Sequence, residues 1–399
     1  MTATVLLTLG RLPKALEMAR ALHAAGARVL IAEPFARHLS AVSRAVERSF
    51  VVTAPVVDRA RYLAELGAIV QREAVDLVVP VSEEIIHVAA LHGTLPANCR
   101  LFSLPAATVR AVHHKGQFID LCRAAGVDAP ETCALDDPAA AALAARSGYV
   151  LKPVAACSGR GVQFFERGAA LPRGRAASVH GPMIVQQRLE GDLVSSFSIA
   201  RRGEVRGTVL YRGAVMQGTV AVCFERLEVP PAITQWISRF VAHTAFDGFI
   251  SFDLIVTADG RAYGIECNPR ATSGIHFVAP RYLAAALLAP HTDRELELRP
   301  EPLMQQFFPC LTETQRSVFT ARFARNLQCL RRAREVTWEP RDPWPFIAMP
   351  YTAWNIIALA ARKRMTFGEV AMLDFAVDAD ARVDADARVD AAPPTRAVE

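Results

Sequence analysis

The sequence predicts an α/β protein of several lobes, in which an N-terminal parallel sheet precedes a small α+β lobe and an antiparallel sheet. The first observation is the length of 399 residues, which exceeds the size that one hydrophobic core serves. The second is an alternation of strand-like and helical patterns over the first hundred residues, typical of βαβ units. The third is a series of short strand-like segments between residues 194 and 266.

The N-terminal hundred residues predict a parallel sheet, because apolar strands alternate with helical patterns. Gly10 follows the first strand without a GxGxxG pattern, so a dinucleotide site is not supported. Gly10 and residues 80–84 end strands, where ligands of such sheets bind, and we place part of an acceptor site there. The predicted strands are residues 5–9, 28–32 and 76–79, and the predicted helices are residues 13–25 and 59–73.

The middle of the chain changes character from residue 115 onward. A helix at 117–125 and strands at 149–153 and 163–166 predict a small α+β lobe, and residues 183–192 read as a strand entering a polar hinge. A central antiparallel sheet with one helix should follow. Its predicted strands are residues 194–200, 204–211, 214–217, 248–256 and 261–266, and its helix covers residues 234–244.

The C-terminal part predicts a helical extension and a low-complexity tail. Residues 345–361 form an apolar stretch, but it is shorter than the roughly 20 residues that span a bilayer, so a buried helix is favoured over a membrane-surface helix. Residues 307–346 carry enough apolar side chains to cap the core or to form a homodimer contact. Residues 377–399 contain a repeated VDADAR unit and prolines, which predicts disorder.

The net charge and the cysteines indicate which partners and which compartment to expect. The net charge of +5 is spread over scattered lysines and arginines, which argues against a nucleic-acid partner. The eight cysteines form no CxxC pair, as expected for free thiols in a reducing compartment. The N-terminus shows no signal-peptide pattern, so we expect a cytoplasmic protein.

The most informative segment is GFISFDLIVTADGRAYGIECNPRATSG, residues 248–274. It predicts a hairpin in which Asp253 and Glu266 share one face. With the oxygen of Asn268 they form an oxygen-only set, which magnesium prefers. Arg270 offers a planar fork suited to a phosphate or acyl phosphate. An acid pair beside a turn is otherwise typical of a solvated hairpin, but the run ECNPR favours the metal site.

A second segment, YVLKPVAACSGRGV, places Lys152 at the end of an apolar strand and before a loop of small residues. In such a loop, Ser158, Gly159 and Gly161 let backbone amides approach phosphate oxygens. Lys115 lies upstream at the start of a helix. It is either a second phosphate-binding lysine or an ordinary solvent-exposed lysine at a helix start.

The order of these motifs over residues 1–280 resembles the ATP-grasp superfamily. The resemblance implies an ATP-grasp fold with a Rossmann-like pre-ATP-grasp domain at 1–112, a lid at 113–190, a central sheet with the metal site at 191–290 and an extension at 291–376. It implies that Lys115 and Lys152 bind nucleotide phosphates, and that the loop closes over them. Two Mg²⁺ or Mn²⁺ ions would bind Asp253, Glu266 and Asn268, while Arg270 and Lys152 act on the transferred phosphoryl group.

The resemblance also assigns the adenine and ribose contacts, with two departures from the family pattern. The hinge that frames the adenine would consist of Gln186, Gln187 and Leu189, although an acidic residue usually stands at the position of Gln186. A ribose-binding glutamate is expected near residue 193, and Asp192 would replace it. The phosphate loop is also poorer in glycine than in most members.

Three stretches indicate a subfamily: GRLPKALEMARALHAAGARVLIAEP, ISFDLIVTADGRAYGIECNPR, and DPWPF with the helix after it. Through them the chain resembles carbamoyl phosphate synthetase-like single-chain ligases, including the mycosporine-pathway ligases that join glycine to a cyclohexenone. This resemblance implies an ATP- and magnesium-dependent ligase of small-molecule biosynthesis, which phosphorylates a carboxylate or enolone and couples it to an amine or amino acid. A kinase that needs no amine and a nucleotide-binding protein without turnover are the alternatives. His276 is a candidate general base, with a structural role as its alternative.

Overall fold

The computed structural model describes residues 2–154, 161–172, 181–289 and 295–363. The predicted phosphate-loop residues Ser158 and Gly159 and the predicted tail at 377–399 lie outside these ranges. Within them, strands form three sheets, one of them parallel throughout, and this confirms the α/β prediction.

The N-terminal domain is built on a parallel sheet with the strand order β3-β2-β1-β4-β5. Strand β1 is buried along its whole length because helices pack on both faces of the sheet. The strands are β1 (Thr4–Leu7), β2 (Arg28–Glu33), β3 (Arg48–Val51), β4 (Leu77–Val79) and β5 (Arg100–Leu101). The helices are α1 (Pro13–Ala24), α2 (Arg59–Arg72), α3 (Ile85–Val88) and α4 (Ala106–His113), with 3₁₀ turns at Leu39–Val42 and Ala89–Leu91.

A smaller antiparallel sheet with the order β6-β9-β7-β8 forms the predicted α+β lobe. Helix α6 begins with Pro138 at its first position, and Asp137 caps it by accepting a hydrogen bond from the Ala139 amide. Tyr149 stacks on Phe165 across this sheet. The elements are α5 (Lys115–Ala124), β6 (Thr132–Ala134), α6 (Pro138–Arg146), β7 (Tyr149–Pro153), β8 (Gln163–Phe165) and β9 (Met183–Gln187).

The central sheet comprises seven strands in the described part of the chain, in the order β14-β13-β10-β11-β12-β15-β16. Helix α5 packs on this sheet through Phe118, which contacts Trp236, Phe240 and Phe252. The strands are β10 (Asp192–Arg201), β11 (Glu204–Gln217), β12 (Val220–Leu227), β13 (Gly248–Val256) and β14 (Ala262–Asn268), with α7 (Pro231–His243) packed against them. Two predicted strands, 204–211 and 214–217, are one strand with register shifts near Gly213.

The C-terminal extension is helical, but it also adds two strands to the central sheet, which the sequence pattern did not indicate. Strand β15 pairs with β12, and β16 pairs with β15 in parallel. None of the described helices has the length and apolar character needed to cross a bilayer. The elements are a 3₁₀ turn (Ser273–Phe277), α8 (Pro280–Leu288), β15 (Leu303–Gln305), α9 (Phe307–Arg316), α10 (Phe323–Arg332), β16 (Arg334–Glu335), α11 (Trp344–Ile347), α12 (Met349–Thr352) and α13 (Trp354–Lys363).

Candidate active site

A row of polar side chains crosses four neighbouring strands of the central sheet. Tyr211 on β11 is paired with Ser195 on β10, Ser195 with Asp253 on β13, and Asp253 with Glu266 on β14. Residues that face each other on antiparallel strands project to the same side of a sheet. The hairpin prediction for Asp253 and Glu266 is therefore confirmed in register, and the structure extends it by Ser195 and Tyr211, which the sequence analysis did not identify.

The carboxylate of Asp253 lies in an environment that disfavours its charge. Loss of solvation, followed by the negative charge of Glu266, raises the pKa of Asp253 to about 6. The Ser195 hydroxyl opposes this shift by donating to Asp253 Oδ1 at 2.6 Å. The pair thus contains negative charge that a cation would stabilise.

Two lysines lie beside this carboxylate pair. Lys115 Nζ is 3.6 Å from Glu266 Oε2, and the Lys115 side chain is only 3% exposed, so it is not the solvated helix-start lysine of the alternative interpretation. Lys152 Nζ donates to Gln186 Oε1 at 2.6 Å. Burial lowers the pKa of Lys152 to about 8; the charge of Glu266 opposes the shift and that of Lys115 adds to it. Lys152 is therefore positively charged at neutral pH.

Arg270 joins the end of β14 to the N-terminal domain. Its Nη2 donates to Asn268 Oδ1 at 3.0 Å and also to Glu83 Oε1. Glu83 belongs to the segment after β4 that was predicted to face the ligand crevice. The geometry brings this segment, Asn268 and Arg270 together.

The predicted hinge residues differ in burial and in their hydrogen bonds. The Gln186 side chain is buried and bridges Lys152 to Thr132, whose Oγ1 accepts from Gln186 Nε2 at 3.1 Å. The Gln187 backbone N–H donates to the Glu131 carbonyl at 2.8 Å, and Leu189 is partly exposed. Asp192 is exposed at the start of β10.

Gly161 and two histidines complete the account of the predicted site. Gly161 has φ +73°, a left-handed conformation that glycine adopts without strain.

His276 is buried, and its Nδ1 lies 3.2 Å from Glu17 Oε2, which favours a structural role over a general base. His113, which the sequence analysis did not single out, interacts electrostatically with Glu83, Lys115, Glu266 and Arg270. The sequence signal that could have identified His113 is its position two residues before Lys115.

Among the residues that the structure describes, no three His, Cys, Asp or Glu side chains are grouped to hold a metal ion. The candidate set instead combines the two carboxylates of Asp253 and Glu266 with the amide oxygen of Asn268. Hard cations such as magnesium take few protein ligands and complete their shell with water and substrate phosphates. This donor chemistry fits such an ion.

Comparison with known proteins identifies a family model that matches the middle of the chain. Residues 112–274 match the family model of the ATP-grasp domain. The chain contains an ATP-grasp domain. The matched span begins just before Lys115 and ends just after Arg270, so it includes the carboxylate pair and both lysines. No curated protein sequence matches the chain.

Solved structures with the ATP-grasp fold extend the similarity beyond the matched domain. The ADP complex of N5-carboxyaminoimidazole ribonucleotide synthetase superposes with a TM-score of 0.63 at 14% identity, covering 80% of this chain and 86% of the other. Biotin carboxylase from Campylobacter jejuni gives 0.59 at 16% identity, over 75% and 74%. L-amino acid ligase from Bacillus licheniformis gives 0.58 at 16% identity, over 76% and 79%. At these identities the likeness concerns the fold.

Proposed function

We propose that the chain is an ATP- and magnesium-dependent ligase that phosphorylates a small carboxylate or enolone and couples it to an amine or amino acid, releasing ADP and phosphate. The observation that carries this proposal is the pairing of Asp253 with Glu266 beside Lys115 and Lys152. Two carboxylates and two ammonium groups in one crevice match the charges of a metal-bound triphosphate.

The nucleotide would be held by residues from both lobes. Lys115 and Lys152 would neutralise phosphate oxygens, and the loop containing Ser158, Gly159 and Gly161 would close over them. Gln186, Gln187 and Leu189 would frame the adenine, and Asp192 would contact the ribose. The buried contact of Gln186 with Lys152 supports a side-chain role for Gln186 in fixing the lysine, alongside any backbone contact to the base.

Asp253, Glu266 and Asn268 would hold Mg²⁺ or Mn²⁺, and two ions are expected. The raised pKa of Asp253 supports this assignment, because a divalent cation would stabilise the buried charge that loss of solvation and the charge of Glu266 disfavour. When bound, the metal supplies positive charge to the phosphate oxygens of the nucleotide.

The side chains of the chain itself would act by positioning and electrostatics. Arg270 would donate hydrogen bonds to the transferred phosphoryl group, and Lys152 would stabilise the charge on the phosphates. The acceptor oxygen then attacks the γ-phosphorus and ADP leaves. The amine nitrogen next attacks the phosphorylated carbon, phosphate departs, and the amine proton passes to solvent. Water must be excluded between the two steps.

The substrate class is supported by the named neighbours, one a synthetase and another an amino acid ligase. An acceptor with a carboxylate or enol oxygen and an amine partner is consistent with both. The resemblance to mycosporine-pathway ligases leads us to include cyclic enolones and glycine among the substrates to be tested. A homodimer and a cytoplasmic location remain part of the proposal.

The test is ADP release from ATP and Mg²⁺ with a panel of small carboxylates and cyclic enolones, each with and without amino acids. We expect turnover that requires both acceptor and amine. Turnover without any amine would establish the kinase alternative. Nucleotide binding without ADP release in every mixture would favour a protein that lacks turnover.

Glu266→Gln and Lys152→Ala should abolish ADP release while the protein stays folded. Glu225→Gln is the matched control, because Glu225 lies in the same sheet and pairs with Arg212 through a more exposed contact, so it should retain activity. Full activity of the Glu266 or Lys152 variant would refute the assigned site.

A further inference from the structure

We propose that Glu83 of the N-terminal domain is a positioning residue for Arg270, so that this domain completes the phosphoryl-binding site as well as contributing to the acceptor crevice. The inference rests on the proposed function, which assigns Arg270 to the transferred phosphoryl group. Glu83 touches neither nucleotide nor metal in this proposal and acts through the arginine.

The contact itself is a shielded ion pair. Arg270 Nη2 donates to Glu83 Oε1, and the two side chains are 14% and 5% exposed. The same Nη2 donates to Asn268 Oδ1 at 3.0 Å. The guanidinium is therefore held between a carboxylate of one domain and an amide of the metal-binding strand. Two acceptors at one nitrogen restrict the rotation of the guanidinium plane.

The backbone next to Glu83 is fixed, because the neighbouring Glu84 accepts hydrogen bonds from the loop that precedes it. Glu84 Oε1 accepts from the Val81 amide at 2.6 Å and from the Ser82 amide at 3.0 Å, and the Thr8 hydroxyl donates to it at 3.1 Å. Burial alone would raise the pKa of Glu83, but the charges of Arg270 and His113 outweigh it and hold the pKa at about 2. Glu83 is thus ionised throughout the neutral range.

Lys14 also bridges the segments that contain Glu83 and Arg270. Lys14 Nζ donates to Ser82 Oγ at 2.8 Å and to the Ala271 carbonyl at 2.8 Å. On the sheet side, the Ser251 hydroxyl donates to the Arg270 carbonyl at 3.0 Å. The main chain around Arg270 is therefore held independently of Glu83. Removing the Glu83 charge should loosen the guanidinium, which keeps its hydrogen bond to Asn268, without releasing the strand.

The experiment is a double-mutant cycle of Glu83→Gln and Arg270→Gln with two readouts. The first is the ratio of the dissociation constants of ADP and of AMP-PNP, both with Mg²⁺, which reports contact with the terminal phosphate and needs no turnover. The second is kcat for ADP release. If Glu83 acts through Arg270, Glu83→Gln should weaken the binding of AMP-PNP relative to ADP and should lower kcat by about 100-fold. In the Arg270→Gln background it should have no further effect on either readout.

Asp342→Asn is the matched control, because Asp342 is also a buried carboxylate paired with an arginine across two segments, but it lies in the C-terminal extension. It should change stability without changing the affinity ratio. Glu83→Asp keeps the charge and should give an intermediate ratio, which provides a readout if Glu83→Gln does not fold.

Three outcomes would overturn the inference: a wild-type affinity ratio in Glu83→Gln, multiplicative losses in the double variant, or an Arg270→Gln variant with unchanged phosphate contact. Absence of ADP release by the wild-type protein with every substrate would instead refute the proposed function. The affinity ratios would still decide the role of Glu83 in that case.

Discussion

The buried carboxylate of Asp253 carries a stability cost in the folded, metal-free protein. Its pKa of about 6 means that the folded, metal-free protein binds a proton there more tightly than the unfolded chain does. This contribution favours the folded state at low pH and is lost as the pH rises through about 6. At pH 8 the buried negative charge faces Glu266 without compensation from a metal.

Asp253→Asn should therefore stabilise the metal-free protein at pH 8, raising its melting temperature by roughly 2–4 °C, and should have little effect at pH 5, where Asp253 is largely protonated. Differential scanning fluorimetry at both pH values, with and without Mg²⁺, measures this. Addition of Mg²⁺ at pH 8 should raise the melting temperature of the wild-type protein but not of the variant. An equal gain at pH 5 and pH 8 would contradict the raised pKa.

The lowered pKa of Lys152 predicts that the affinity for ATP depends on pH. Burial lowers its pKa to about 8, so the ammonium group is present below that value and lost above it. The affinity for ATP should fall as the pH rises through 8, because a phosphate contact loses its positive charge. Titration calorimetry between pH 6.5 and 9.5 tests this. Lys152→Met should bind ATP weakly and without this pH dependence; a parallel slope in that variant would assign the titration to another group.

At the scale of elements, α1 connects the N-terminal domain to the other half of the chain. Lys14, Glu17 and Arg20 stand three residues apart on one helix face. Lys14 donates to the Ala271 carbonyl, Glu17 accepts from Arg299 and contacts His276, and Arg20 donates to Asp342 at 2.9 Å. The contacts of this one helix therefore fix the segment after β14 relative to the C-terminal extension.

Arg20→Ala should loosen the extension while leaving the nucleotide site intact. Arg20 Nη2 also donates to the carbonyls of Thr337 and Asp342, at 3.0 and 2.7 Å, so the substitution removes three hydrogen bonds from a partly buried contact. We expect a loss of about 1–3 kcal/mol in the free energy of unfolding.

Limited proteolysis with mass spectrometry should show faster cleavage near residues 334–347, and the dissociation constant of AMP-PNP should not change. Arg281→Ala serves as the control, because Arg281 pairs with Glu297 at the surface with 75% of its side chain exposed. Equal protease resistance of the Arg20 variant and the wild-type protein would show that α1 does not hold the extension.

At the scale of the whole molecule, the sequence predicts that the last residues contribute nothing to the folded core. Residues 377–399 consist of the repeated VDADAR unit and a proline-containing end, and they contain no leucine, isoleucine, methionine or aromatic side chain to bury. Deletion of this segment should leave the melting temperature and ADP release unchanged. A loss of either by the truncated chain would show that the tail takes part in folding or in the site.

Local patterns sufficed for much of the fold. The strands 149–153 and 248–256 were predicted with the bounds that the structure shows, and α1 and α2 differ by one residue at one end. Their apolar period and flanking turns are contained in short windows of sequence. The extension strands β15 and β16 are two or three residues long, and pairing with β12 is what makes them strands.

What the sequence determined by itself about the site is the carboxylate hairpin. Asp253 and Glu266 are thirteen positions apart around a turn, and the period-two alternation of strands sets which side chains share a face. Tertiary structure alone decided that Lys115 is buried beside Glu266, and that Glu83 reaches Arg270 across 187 positions. Contacts of that separation depend on how the lobes pack, and no local pattern of apolar and polar residues encodes them.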